Sequence, residues 1–192
     1  RKRGYVMTTT NTPTGWYNDD WTESRMMCSD LITPFDFFLL QPASYDLTLG
    51  DEFTVQLTSQ TIDLTRPDSI SYMRYQNVDE IKLKPHEFML AHTVETIQCE
   101  PDTVGIVMGK STIARMGLQV EAAGLVDPGF TGQITLELTN MTGNTLILRP
   151  GMRIAQIGFH RMIAPSVLQY GDPRCNSHYQ GQTGVTTART SA

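Results

Sequence analysis

The chain has 192 residues, 40% hydrophobic and 18% charged, which suits one globular domain with a core large enough to fold without disulfide staples. A net charge of −5 excludes a generally basic face, and with it non-specific nucleic-acid binding, but leaves room for a local basic pocket that takes a small polyphosphate. No apolar run reaches the ~18 residues of a membrane span, and the three cysteines, Cys28, Cys99 and Cys175, contain no CxxC pair, so neither a disulfide framework nor a zinc site is indicated.

In chain order, residues 1–27 are polar, Thr-rich and aperiodic, with Trp16 and Trp21 interspersed, and are expected to form an arm that docks on a neighbour. The opening RKRGYVMTTT has charges but no apolar segment behind them, so it does not read as a secretory signal. With unpaired cysteines, the expectation is a reducing cytoplasm. A short helix is expected over 24–31. Seven short runs with rough alternation follow, at 44–49, 52–57, 87–94, 103–108, 133–138, 145–148 and 153–159, separated by Gly, Pro, Asn and Asp in LGDE, KPHE, EPDT, DPGF, NMTGN and RPGM. Many short strands with regular turn signals predict an all-β sandwich or barrel over 28–170. Residues 111–116 predict one helical turn, entered at a Ser cap and stopped by Gly117. From Gly171 to Ala192 the chain is rich in Gly, Gln, Thr and Ser without apolar periodicity, and is expected to order only against something else.

The densest chemistry lies between Gly109 and Asn140. In GKSTIAR, the hydroxyls of Ser111 and Thr112, the Lys110 ammonium and the Arg115 guanidinium can cradle phosphate, or can simply be a capped turn with solvated charges. It is not a Walker loop, because the first glycine of GxxxxGK is missing. In VDPGFTG, Asp127 can hydrogen-bond its own turn or take part in chemistry, and Phe130 can fill the core or lie against a sugar face. In QITLELTN, Ile134, Leu136 and Leu138 share one face, while Gln133, Thr135 and Glu137 share the other. A carboxylate inside a strand costs several kcal/mol to bury unless compensated, so Glu137 demands an explanation. On an open face it would be unremarkable; in a closed pocket it could move protons. His86, His92, His160 and His178 are isolated in sequence and read as structural, and the ten methionines read as core filler.

These segments resemble a known family. LITPFDFFLLQPASYDLTLGDEF, GKSTIARMGL, AGLVDPGFTGQITLELTN, RPGMRIAQIGF and HYQGQTGVTTAR are similar, in that order, to blocks of the dCTP deaminases. The resemblance implies the distorted jelly-roll barrel that this family shares with trimeric dUTPases, a homotrimer with active sites between subunits. It further implies that Lys110, Ser111 and Arg115 hold phosphates, with Ser111 and Arg115 also reaching the water and base and Thr112 beside them as a substrate-binding candidate. Asp127 then meets the deoxyribose 3′-hydroxyl, and Thr135, Leu136 and Glu137 meet the pyrimidine, with Glu137 as proton shuttle. Gln156, Tyr170 and Gln182 are further nucleotide contacts, the last from a C-terminal lid. His178 stands where the family usually has Lys, a weaker phosphate partner when neutral.

Two features bear on specificity. The segment Val120-Glu121-Ala122-Ala123 is one residue shorter than its usual counterpart, and the AGLVD ending is of a form found both in dUTPases and in dUMP-forming deaminases. Three activities therefore stand open: a dCTP deaminase with or without diphosphate release to dUMP, a dUTP pyrophosphatase, and a non-catalytic nucleotide-binding relative. The chain lacks the H-x-E…P-C-x-x-C signature of zinc deaminases, so the expected route is metal-free at the base, with Mg2+ accompanying the triphosphate.

Overall fold

The computed structural model describes residues 14–121 and 124–189. Strand β1 (Gly15–Trp16) and helix α1 (Asp19–Met26) come first, followed by β2 (Ile32–Thr33), β3 (Leu40–Gln41), β4 (Ser44–Thr48), β5 (Phe53–Gln56), β6 (Tyr72–Tyr75) and β7 (Ile81–Leu83). The long β8 (Phe88–Gln98) and β9 (Thr103–Gly109) lead into helix α2 (Ser111–Arg115) and then β10 (Leu118–Glu121), β11 (Leu125–Val126), β12 (Thr131–Asn140), β13 (Leu146–Leu148) and β14 (Arg153–Arg161). The strands form two antiparallel sheets, β11-β9-β14-β4-β3 with β1 added on β14, and β10-β12-β8-β5-β6 with β2 added on β8. A small β13-β7 ladder closes one end. Neighbours far apart in sequence, such as β14 between β9 and β4, give the crossed connections of a jelly roll.

The inner faces are apolar through regular alternation in β12 and through longer buried runs in β8 and β14. In β12, Ile134, Leu136 and Leu138 are buried in the core, while Gln133, Thr135, Glu137 and Thr139 face the other way, partly exposed. Phe53 and Met89 of the same sheet and Tyr45, Leu47, Ile157 and Phe159 of the other sheet pack into the same core. A register shift interrupts the β8–β12 ladder between Gln133 and Thr135. There the Thr93 hydroxyl accepts the Ile134 N–H at 2.9 Å, so the irregularity leaves no orphan donor at that point.

All seven expected strands are present, within a few residues of their predicted bounds. The helix expected at 24–31 instead spans Asp19–Met26. Asn18 caps it by accepting the Trp21 N–H at 3.0 Å, and Asp19 and Asp20 in its first turn complement the helix dipole. Within the stretch expected to be an arm, β1 pairs with β14 and the Trp16 indole donates to the Ala43 carbonyl at 2.6 Å, so this part docks on its own barrel. Helix α2 is entered at Lys110 rather than at a Ser cap: Ser111 is its first helical residue and no side chain caps it. Gly117, at φ +90°, stops it as expected.

Candidate active site

Three carboxylates are buried or half-buried inside strands, and their environments differ. Asp46 is only 1% exposed; its Oδ1 accepts from Lys110 Nζ at 2.5 Å and its Oδ2 lies 3.4 Å from Arg153 Nη1. Glu95 accepts the Thr48 N–H at 2.9 Å on one oxygen and the Thr48 hydroxyl at 2.7 Å on the other. Glu137 has a buried Oε2 with no hydrogen-bond partner among the described residues. Burial pushes its pKa from 4.5 to about 7; its own backbone N–H pulls the other way, and the Glu121 carboxylate raises it further. A desolvated, unpartnered carboxyl that titrates near neutrality is poorly suited to holding a fold together and well suited to moving a proton.

Glu137 opens into a cavity of about 560 Å3 that Asp127, Phe130, Thr135, Tyr170 and Gln182 also line. Strand β12 supplies Thr135 and Glu137 from one face. The DPGF turn supplies Asp127 and Phe130, pinned by Gly129 N–H to Cys99 O at 3.0 Å and Cys99 N–H to Phe130 O at 2.9 Å. Gly129 sits at φ +87°, and a Cβ there would lie 2.6 Å from the Gln169 Cβ, so the turn requires glycine. The Asp127 carboxylate accepts no hydrogen bond among the described residues, which leaves it free to meet a ligand. Phe130 is buried and also edges the cavity, its ring edge-to-face with Tyr170 at 5.5 Å.

The C-terminal segment crosses this mouth. Gln182 accepts the Gln133 N–H at 3.0 Å on its main-chain oxygen and donates its side-chain amide to Gln133 O at 2.7 Å. Thr186 N–H donates to the Thr135 hydroxyl at 3.3 Å. Tyr170 is tied in by its N–H to Pro128 O at 2.8 Å, and its hydroxyl accepts the Tyr179 N–H at 3.1 Å.

The other expected site residues lie elsewhere. Lys110, Ser111, Thr112 and Arg115 do not line the cavity; Lys110 is engaged by Asp46, and the other three are exposed on α2. Gln156 bridges β4 and β9, accepting from the Ser44 hydroxyl at 3.2 Å and donating to Gly109 O at 3.3 Å, and stays outside the cavity. His178 stacks edge-on against Tyr179 and is also outside it. The Leu136 side chain is fully buried in the core, so only its main chain could meet a ligand. One chain thus gathers acidic and aromatic groups at the cavity and presents its basic segment in a different place.

Sequence reasoning missed much of the rest of the cavity wall, including Gln56, Ile62, Leu64, Ile70, Tyr72, Leu90 and Tyr179. These come from β5, β6, the loop between them, β8 and the C-terminal segment, and no local motif marks them. Asp46 carried a usable signal, a carboxylate inside the alternating run YDLTL, the same signal that singled out Glu137. Among the described residues, no helix is long and apolar enough to cross a membrane.

The chain is similar to known proteins over most of its length. The profile of a family described as dCTP deaminase-like matches residues 19–162. A protein of Tropheryma whipplei named dCTP deaminase, dUMP-forming, is 41% identical over 163 residues, covering 82% of this chain and 83% of that one. A Mycobacterium avium protein of the same name is 38% identical over 164 residues, covering 83% and 86%. The crystal structure of 2′-deoxycytidine 5′-triphosphate deaminase from Agrobacterium tumefaciens superposes with a TM-score of 0.63 at 19% identity, over 78% of this chain and 49% of that one, a likeness of fold. The all-β barrel, its half-buried glutamate and these matches lead to one conclusion: the chain belongs to the dCTP deaminase-like family.

Proposed function

We propose that this protein deaminates dCTP and carries the dUTP so formed on to dUMP with release of diphosphate. The observation that carries this reading is Glu137 Oε2, buried without a partner on the wall of a cavity large enough for a pyrimidine nucleoside. Glu137 takes a proton from a water molecule, and the hydroxide attacks C4 of cytosine. The electron pair of the C4–N3 double bond moves to N3, which takes the proton from Glu137. Collapse of the tetrahedral intermediate expels ammonia, its proton supplied by the new hydroxyl through the same carboxyl. Water is a poor nucleophile at neutral pH, and a positioned base of this kind contributes typically ~10²–10⁴-fold. Asp127 orients the deoxyribose 3′-hydroxyl and is the candidate to orient the water that cleaves the α–β phosphate link. Phe130 lies against the sugar, and Thr135 meets the base beside Glu137.

The triphosphate needs cations, and no Lys or Arg lines the cavity among the described residues. Lys110, Ser111, Thr112 and Arg115 supply that need if they reach the cavity of a neighbouring copy, which makes the active protein a homotrimer with sites between subunits. Gln156 and His178 border the phosphates in that assembly, and Gln182 closes the lid. Mg2+ enters as part of the substrate, held by phosphate oxygens and water and neutralising their charge; it needs no protein cage. No group of three metal-ligating side chains gathers among the described residues. The place of action is the cytoplasm, where nucleotide triphosphates and reduced thiols occur together.

The test incubates the protein with dCTP and, separately, with dUTP in the presence of Mg2+, and follows ammonia and diphosphate independently. Both products from dCTP are expected. Diphosphate from dUTP without ammonia from dCTP would make the chain a dUTP pyrophosphatase, and neither product would make it a binding protein.

A further inference from the structure

Strand register sets Glu121 of β10 directly opposite Glu137 of β12. Opposed residues of an antiparallel pair leave the same face of the sheet, with Cβ atoms roughly 4.5–5.5 Å apart, and like charges so placed are destabilising. Packing does not explain the pair. Glu121 is exposed, and its hydrogen bond is a long one from the Gln119 amide at 3.5 Å. Among the described residues no cation forms an ion pair with either carboxylate. The other neighbours of Glu137 do not offset the repulsion. Strand β8 presents Leu90 opposite it, and the ionisable groups around the cavity are Asp127 from the DPGF turn, Tyr72 from β6, and Tyr170 and Tyr179 from the C-terminal segment.

We propose that Glu121 is a positioning residue of this site, a second carboxylate set by strand register beside Glu137 so that a proton accepted by Glu137 stays there until the ring nitrogen takes it. This rests on the reading of Glu137 as the proton shuttle. Glu121 itself forms and breaks no bond. The proton leaves water for Glu137 and then N3, and the electron pairs move as described above. A carboxyl at its ordinary pKa would be too weak a base to take the water proton, and the best shuttle titrates near the operating pH. Burial brings Glu137 most of the way, and the charge of Glu121 adds to it. Strand β10 thereby contributes to the chemistry although Glu121 does not line the cavity.

The experiment follows the Glu137 carboxyl by 13C NMR in glutamate-labelled protein, assigned with Glu137→Gln, alongside the pH dependence of kcat/KM for ammonia release from dCTP. The expected result for Glu121→Gln is a Glu137 midpoint lower by roughly half a unit to one unit, with the acid limb of the rate profile moving in step. Glu121→Asp, which restores the charge, should recover most of both. An unmoved midpoint overturns the proposal, and so does a moved midpoint with an unmoved rate profile. Protein that releases no ammonia at all would sink the functional reading instead, while the midpoint would still decide whether the two carboxyls are coupled.

Discussion

The Lys110 ammonium lies 2.5 Å from the Asp46 carboxylate, which is only 1% exposed. The residue most readily taken for a phosphate ligand is therefore held against the barrel by a buried carboxylate rather than left on a solvated stem. Arg153, 3.4 Å from the other Asp46 oxygen, shares the same anchor, so the pair of cations carries one uncompensated positive charge.

Removing that anchor should be costly on one side more than the other. Lys110→Met leaves Asp46 buried with Arg153 as its remaining partner, and should lower unfolding free energy in urea by about 2–4 kcal/mol. Asp46→Asn frees two cations that can rehydrate, and should cost less. Equal losses for both variants would show that the ion pair is held loosely.

Glu137 should make the protein less stable as pH rises. Its pKa in the fold is about 7 against 4.5 for the free group, so folding takes up a proton between these values. The contribution is fully present below 4.5 and is lost as pH rises through about 7. Glu137→Gln, which cannot ionise, should therefore be more stable than the parent at pH 8 by about 1–2 kcal/mol, discounted for the partly exposed position. The difference should vanish in acid. Thermal unfolding of both proteins across this range measures it.

A site shared between subunits predicts complementation. Arg115→Ala and Glu137→Gln are each expected to be inactive alone. Co-refolding equal amounts should restore roughly a quarter of parental activity, because some interfaces then combine an intact Arg115 segment with an intact Glu137 cavity. No recovery would place both groups in one chain's site.

Ending the chain at Tyr170 should raise KM for the triphosphate while moving Tm by only a few °C. The segment from 171 to 189 is held by hydrogen bonds and buries no side chain fully. A large drop in Tm would mean that it belongs to the core.

Much of this was legible from local pattern. Strands β9 and β12 alternate, and β8 and β14 carry apolar runs, over enough residues to declare themselves, and Gly117 and the DPGF turn mark their own backbone needs. Strand β6 was missed because YMRY carries little apolar alternation, and β10 because LQVE alternates over only four residues; both form through pairing, with β5 and β12. Helix α1 was displaced because its signal is the cap at Asn18 rather than an apolar stripe. In the site, Asp127, Thr135 and Glu137 sit close in sequence and were found together. Tyr72, Leu90 and Tyr179 reach the cavity only through tertiary pairing, and the bond between Asp46 and Lys110 spans 64 positions, beyond any motif.

The central claim, that the Glu137 carboxyl on the cavity wall moves the proton in deamination, is tested most directly by measuring ammonia release from dCTP by Glu137→Gln alongside its affinity for the nucleotide. The account predicts a loss of at least ~10²-fold in turnover with binding changed little. Release near the parental rate would contradict it.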